Sequence, residues 1–173
     1  VAGTSSLRVV AHPVRLRMLS VLTGTAMSAA DLARELGISH ANASYHLRQL
    51  AEHGEVVVAG EQRIRGGTAK LYRYPHEAEG ADTGVSATTE DRVQYARAVA
   101  QEVERRLVDR APDRQSLMAD LEGWVAPEAW ERAAALVREA SRLLHDANRP
   151  PGTEGTTHIS LSVVAFRMTG GEQ

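Results

Sequence analysis

Apolar positions recur at helical spacing through the first third of the chain, and glycines and small polar residues punctuate them. Over residues 13–23, Val14, Leu16, Leu19 and Leu22 form a stripe that Met18 and Val21 widen, with Pro13 at the first helical position. A short helix is expected before it, at 5–11. Gly24 stops the second helix. Ser28, followed by Asp31 three residues on, has capping-box spacing and opens a helix over 29–36 that buries Leu32 and Leu36. Gly37 ends that helix in a position suited to positive φ. Ser39 caps the next helix, 40–53, whose Ala43, Leu47 and Leu50 fall at i, i+4 and i+7, and Gly54 closes it.

The period then changes. Residues 55–62 and 70–76 are strand-like, and the segment RIRGGTA between them reads as a Gly-Gly turn flanked by Arg63 and Arg65, a hairpin with a basic tip. Residues 77–88 are small and polar, the composition of a linker. Thr89 is expected to cap a helix over 90–110, in which Val93, Ala96, Ala100, Val103 and Leu107 make a 3-4-3-4 heptad seam. A short helix is expected at 114–122. Pro127 opens another at 127–147, with Trp130, Ala133, Val137, Ala140, Leu144 and Ala147 again at 3-4 spacing. Residues 157–168 alternate through Ile159, Leu161, Val163 and Ala165, the pattern of a strand. No internal repeat is present.

Composition and charge narrow the function. The chain has 173 residues and no cysteine, which excludes a disulfide framework, a thiolate metal site and a cysteine nucleophile. No apolar run approaches the ~18 residues of a membrane span, and the start lacks a basic region followed by an apolar stretch, so a cytoplasmic protein is expected. The net charge of −2 conceals an asymmetry. Residues 1–76 carry nine Lys/Arg against five Asp/Glu, net +4, and the rest of the chain carries eleven against seventeen, net −6. Such a split points the first part toward an anionic partner. The seven Trp, Tyr and Phe residues are too few for stacking platforms on single-stranded nucleic acid.

The most informative stretch is Ser28 to Gly54. Two helices meet at Gly37-Ile38-Ser39, and a glycine there permits the tight reversal of a helix-turn-helix. Ala33 is small where the helices cross, and Leu32, Leu36, Ile38, Ala43 and Leu47 supply the shared core. The outward positions of the second helix are His40, Ala41, Asn42, Ser44, Tyr45 and Arg48. Short polar groups at the helix start and an arginine one turn later suit base edges in the major groove of double-stranded DNA. Asn bonds adenine bidentately and Arg bonds guanine. Ser39 and the first-turn amides favour phosphate. A basic hairpin following at once makes the unit a winged helix-turn-helix. A buried helical pair that merely packs would explain neither the polar outward residues nor the +4 charge.

The runs AHPVRLRMLSVL, LARELGISHANASYHLRQLAEHGEV and RIRGGTAKLYRY resemble the ArsR-type winged-helix transcriptional regulators, closest to their longer, metal-independent branch, over about residues 5–76. The resemblance implies Ser39, His40, Asn42, Ser44, Tyr45 and Arg48 as groove contacts and Arg63, Arg65 and Lys70 as wing contacts. Two positions depart from the family pattern: His12 stands for the usual Asp before Pro, and Glu55 for the usual apolar residue after the helix-ending glycine. The cysteines with which many family members sense metal are absent.

Other residues carry weaker signals. His46 lies on the inner face of its helix and reads as structural, as the resemblance also implies. The remaining histidines show no ligand spacing, so no metal site and no cofactor are expected. No Ser-His-Asp set or phosphate loop stands out, so the chain is not expected to be an enzyme. Met118, Trp124, Trp130 and Phe166 are candidates for lining a small-molecule effector pocket, against the plainer reading of core packing.

The fold class expected is mainly α with a small β-hairpin wing: a DNA-binding domain at 1–76, a linker at 77–89, and a helical region at 90–173 that ends in a strand. The seams through Val93, Ala96, Ala100, Val103 and Leu107, and through Trp130, Val137 and Leu144, need a partner, which points to a homodimer. A bacterial repressor acting on an inverted-repeat operator is the functional expectation. The alternative is a winged helix used as a protein-interaction module. The strand at 157–168 has two candidate partners, the segment 83–88 and the same strand of a second copy; the helical seams favour the second copy.

Overall fold

The computed structural model describes residues 5–75, 87–112 and 116–169. Helix α1, Ser6–Val10, leads into α2, Pro13–Gly24, then α3, Ala29–Leu36, and α4, His40–Glu52. The hairpin β1, Val57–Ile64, and β2, Gly67–Arg73, follows, and two longer helices close the order, α5 at Thr89–Leu107 and α6 at Pro127–Ala147. The fold is mainly helical, a winged helix-turn-helix followed by C-terminal helices.

Local chemistry sets each early boundary. Ser28 accepts from the Asp31 amide at 3.2 Å while the Asp31 carboxylate accepts from the Ser28 amide at 3.1 Å, the reciprocal capping box. Gly37 ends α3 at φ 64°, ψ 35°, a conformation a side chain would strain, and the Ile38 amide returns to the Ala33 carbonyl at 3.0 Å. Ser39 caps α4 by accepting from the Asn42 amide at 3.2 Å.

The apolar side chains of these elements close one core: Val9, Val10, Met18, Leu22, Leu32, Leu36, Ala43, Leu47, Leu50 and Val56, with Ile38 packed at its edge. The hairpin is tied to it at its base, where Met27 and Tyr72 exchange two backbone hydrogen bonds of 2.9 Å and the Tyr74 amide donates to the Leu22 carbonyl at 3.1 Å. That exchange makes Met27 a third, one-residue strand.

Helix α5 packs back on this domain. Its buried positions are Asp91, Ala98 and Glu102, with Tyr95 half-buried between them, and they face α1 and α2. The expected seam lies on the neighbouring face, where Ala96 and Val103 are half-covered and Val93, Ala100 and Leu107 are exposed. Helix α6 has no buried residue. Trp130 and Leu144 are half-buried and Val137 is exposed. The C-terminal end of α6 touches the helix-turn-helix half: Asn148 Nδ2 donates to the Ser20 carbonyl at 3.4 Å, and the Tyr74 and His145 rings meet edge-on at 6.3 Å. The chain passes Gly24 so closely that a β-carbon there would stand 2.9 Å from the Arg149 carbonyl oxygen.

Several expectations are corrected. The hairpin strands run to the tip, Ile64 opposite Gly67, so the turn is Arg65-Gly66, with Gly66 at φ 97°, and not Gly-Gly. Helix α5 starts one residue early, because Thr88 and not Thr89 finds an acidic partner three residues on, at Asp91. It stops at Leu107. Residues 116–122 are not helical, and residues 157–168 form no strand within the chain. A strand exists only through ladder hydrogen bonds, and none of the described residues pairs with this segment. Most of the linker, and of the segment 83–88, lies outside the described residues, as does His76.

Candidate nucleic-acid interface

The interface begins with how α4 is oriented. Ala43, His46, Leu47 and Leu50 are buried against α2 and α3, which leaves Ser39, His40, Ala41, Asn42, Tyr45 and Arg48 on the open face and Ser44 half-covered beside them. The groups expected to read DNA thus stand together along the N-terminal two turns of one helix. The first-turn amides lack intrahelical partners, and Ser39 takes one of them, so this end of α4 presents donors and positive dipole.

His46 fixes that face from behind. It is 6% exposed, its ring packs against that of His12 at 4.5 Å with the planes tilted by 42°, and Tyr45 meets it edge-on at 5.1 Å. Arg15 Nε donates to His46 Nδ1 at 3.4 Å, and another Arg15 nitrogen donates to the Val9 carbonyl. His12 in turn caps α2, its Nδ1 accepting from the Val14 amide at 3.1 Å. Both imidazoles must therefore be neutral. Burial, followed by the repulsion a proton on His46 would meet from a protonated His12 and from Arg15, lowers the His46 pKa to about 4, and burial followed by Arg15 lowers that of His12. The sequence reading of His46 as structural matches this burial. The roles of His12 and Arg15 were not foreseen; the substitution of His12 for the usual residue before Pro13 was the available signal.

The hairpin supplies the second part. Register places Arg63 opposite Thr68 and Glu61 opposite Lys70, so Arg63 and Lys70 share one face of the ribbon with Glu61. Arg65 stands at the turn, and residues 61–68 and Lys70 are exposed. Extension of the strands to Ile64 and Gly67 projects Arg65 farther from the core than a Gly-Gly turn would.

Two further contacts were missed in sequence. Ser5 Oγ donates to the buried Asp91 carboxylate at 2.9 Å, joining α1 to α5, and Ser6 Oγ donates to Glu55 at the end of α4. Hydrogen bonds from the Thr88 amide and Ser5 hold the Asp91 carboxyl below the usual carboxylate range, whereas burial pushes Glu55 up. Glu55 thus replaces an apolar residue without being orphaned. The Thr88-x-x-Asp91 spacing was a legible signal for the cap that holds Asp91, but neither contact across the chain had one.

The four candidate effector-pocket residues do not close a pocket within one chain. Met118, Trp124 and Phe166 are exposed, Trp124 by 90%, and Trp130 is half-buried. Among the described residues no group of three or more His, Asp or Glu side chains is placed to hold a metal ion.

Residues 10–57 match the sequence family described as helix-turn-helix domain. No curated protein matches the chain. Among solved structures, the chain is similar to a possible transcriptional regulator for arsenical resistance, at 22% identity, covering 63% of this chain and 99% of that one with a TM-score of 0.35. It is also similar to the adhesin competence repressor AdcR from Streptococcus pyogenes, at 12% identity, covering 83% of this chain and 82% of that one with a TM-score of 0.31. At TM-scores below 0.5 neither likeness assigns a function to this chain.

Proposed function

We propose that this winged helix-turn-helix chain is a DNA-binding transcriptional regulator, a homodimeric repressor that sets α4 into the major groove of an inverted-repeat operator and its wing against the flanking backbone. The observation that carries the reading is the open face of α4: Asn42, Tyr45 and Arg48 stand out together over a helix whose opposite side is buried. The helix-turn-helix match over residues 10–57 and the ArsR-type resemblance over 5–76 support it. Asn42 and Arg48 read bases, while His40, Ser39 and Ser44 hold the phosphate and sugar edge. Arg63, Arg65 and Lys70 meet phosphate or the minor groove.

Surface area supports the dimer. The chain exposes 13089 Å², where a compact monomer of 18.7 kDa exposes about 8,300 Å². Allowing for the 22 residues outside the described segments still leaves an excess of about 2,000 Å². That is the scale of an obligate interface. Nearly all the buried apolar side chains lie between Val9 and Val56, so the C-terminal half lacks a core of its own. A second copy supplies one through Val93, Ala96, Ala100, Val103 and Leu107 of α5 and Trp130, Val137 and Leu144 of α6. An effector site bounded by Met118, Trp124, Trp130 and Phe166 is completed only in the dimer. No described helix is long and apolar enough to cross a membrane, and the proposed location is the cytoplasm.

The test is selection of bound fragments from a genomic library, followed by fluorescence anisotropy on the enriched site. Asn42→Ala or Arg48→Ala is expected to lose ~1–3 kcal/mol on that site and to relax base preference. Half-site centres should lie ~10 base pairs apart. Affinity unchanged by both substitutions, with no enriched sequence, refutes the reading and leaves a protein-interaction module.

A further inference from the structure

Residues 157–168 are the largest feature that DNA binding leaves unused. Every residue from 157 to 169 is exposed, and no backbone hydrogen bond joins any of them to another described residue. One side-chain contact ties the segment to α5, where Arg106 Nη1 donates to Ser160 Oγ at 3.4 Å. Yet Ile159, Val163, Val164 and Phe166 are residue types that favour strands. A segment of this kind, with both edges open, recruits another strand.

The described residues offer it little. The described sheet is the hairpin wing, whose β2 edge is occupied at Tyr72 by Met27. A second copy offers the same segment with matched spacing. The alternating apolar set, Ile159, Leu161, Val163 and Ala165, is symmetric about Ser162.

We propose that residues 157–167 of two copies pair antiparallel across a two-fold axis at Ser162, forming a ribbon that closes the dimer. The inference rests on the homodimer reading above and adds how the C-terminal segments are used. Cross-strand partners in an antiparallel pair share a face, so an axis through a residue keeps odd positions opposite odd ones. At Ser162 the register sets Ile159 opposite Ala165 and Leu161 opposite Val163, gathering that alternating set of both strands on one face, while Val164 and Phe166 fall on the other opposite Ser160 and His158. Slipping by one residue would set Leu161 opposite Ser162, Val163 opposite Ser160 and Ala165 opposite His158, keeping only Ile159 opposite Val164 as an apolar pair. Arg167 meets Thr157 and His158 meets Phe166, so no like charges face each other. A lone two-stranded ribbon is marginal in water, and the exposed seams of α5 and α6 supply the apolar surface that its face requires.

Because the chain has no cysteine, single cysteines report the register directly. Full-length Ser162→Cys should form a disulfide-linked dimer on mild oxidation, since a residue on the axis faces its own copy with β-carbons roughly 4.5–5.5 Å apart. Ser160→Cys alone and Val164→Cys alone should stay unlinked, while the two co-expressed should cross-link as a mixed dimer. Sedimentation of the unmodified protein is run beside them. A dimer in which Ser162→Cys links no better than Ser160→Cys overturns the ribbon and leaves the homodimer standing. A monomer at micromolar concentration that still binds its operator overturns both.

Discussion

Acid should loosen this protein chiefly through the imidazole of His46, on the hidden side of α4. His46 is buried, accepts from Arg15 and packs against the tilted ring of His12, and its pKa falls from 6.5 to about 4. In the unfolded chain it takes a proton near pH 6.5. Between pH 6.5 and 4 the unfolded state therefore binds more protons than the folded one, and stability falls as pH falls. Linkage puts the loss at about 2 kcal/mol by pH 5 and about 3 kcal/mol by pH 4. His12, also lowered, acts in the same direction, whereas Glu55, raised by burial, opposes it. Asp31 and Asp91, both lowered, lose their contribution only below the ordinary carboxylate pKa of 3.8. His46→Asn isolates the one group, because the Asn oxygen replaces Nδ1 as acceptor for Arg15 without titrating. Urea unfolding followed by helical circular dichroism at fixed protein concentration, at pH 7 and pH 5, gives the comparison. Wild type should lose about 2 kcal/mol more than His46→Asn across that step. Equal losses in the two proteins, within about 0.5 kcal/mol, would show that His46 titrates freely and that the packing argument behind α4 is wrong.

Other consequences are equally direct. Arg65→Ala should weaken operator and random DNA by the same factor and make the slope of log affinity against log salt about 1 unit shallower per subunit, measured by anisotropy from 50 to 300 mM salt. Gly24→Ala ordinarily favours a helix, but here the new methyl meets the Arg149 carbonyl, so thermal unfolding should show a loss of roughly 1–3 kcal/mol; a gain would place the end of α6 elsewhere. Asp91→Ala removes the α5 cap and leaves Ser5 without its acceptor, and should cost about 1–2 kcal/mol in urea unfolding.

The helix-turn-helix was legible because its determinants are local. Ser28 with Asp31, Gly37 and Ser39 act within four residues of themselves, and the spacing of Leu32, Leu36, Ala43, Leu47 and Leu50 needs no knowledge of the rest of the chain. The same spacing placed Asn42, Tyr45 and Arg48 outward, since a helix that buries one side exposes the other. Features that depend on what lies opposite were not legible. The turn residue of the hairpin followed from strand register. The sequence of helix α5 does not say that the face through Asp91, Tyr95, Ala98 and Glu102 meets α1 and α2 while the heptad face stays largely open. The roles of Arg15, Glu55 and Gly24 arise where chain segments distant in sequence come within hydrogen-bonding or van der Waals reach. Period and capping are properties of a segment, and the sequence alone determined those. Pairing, burial of a charge and close backbone approach are properties of two segments, and the tertiary structure decided them.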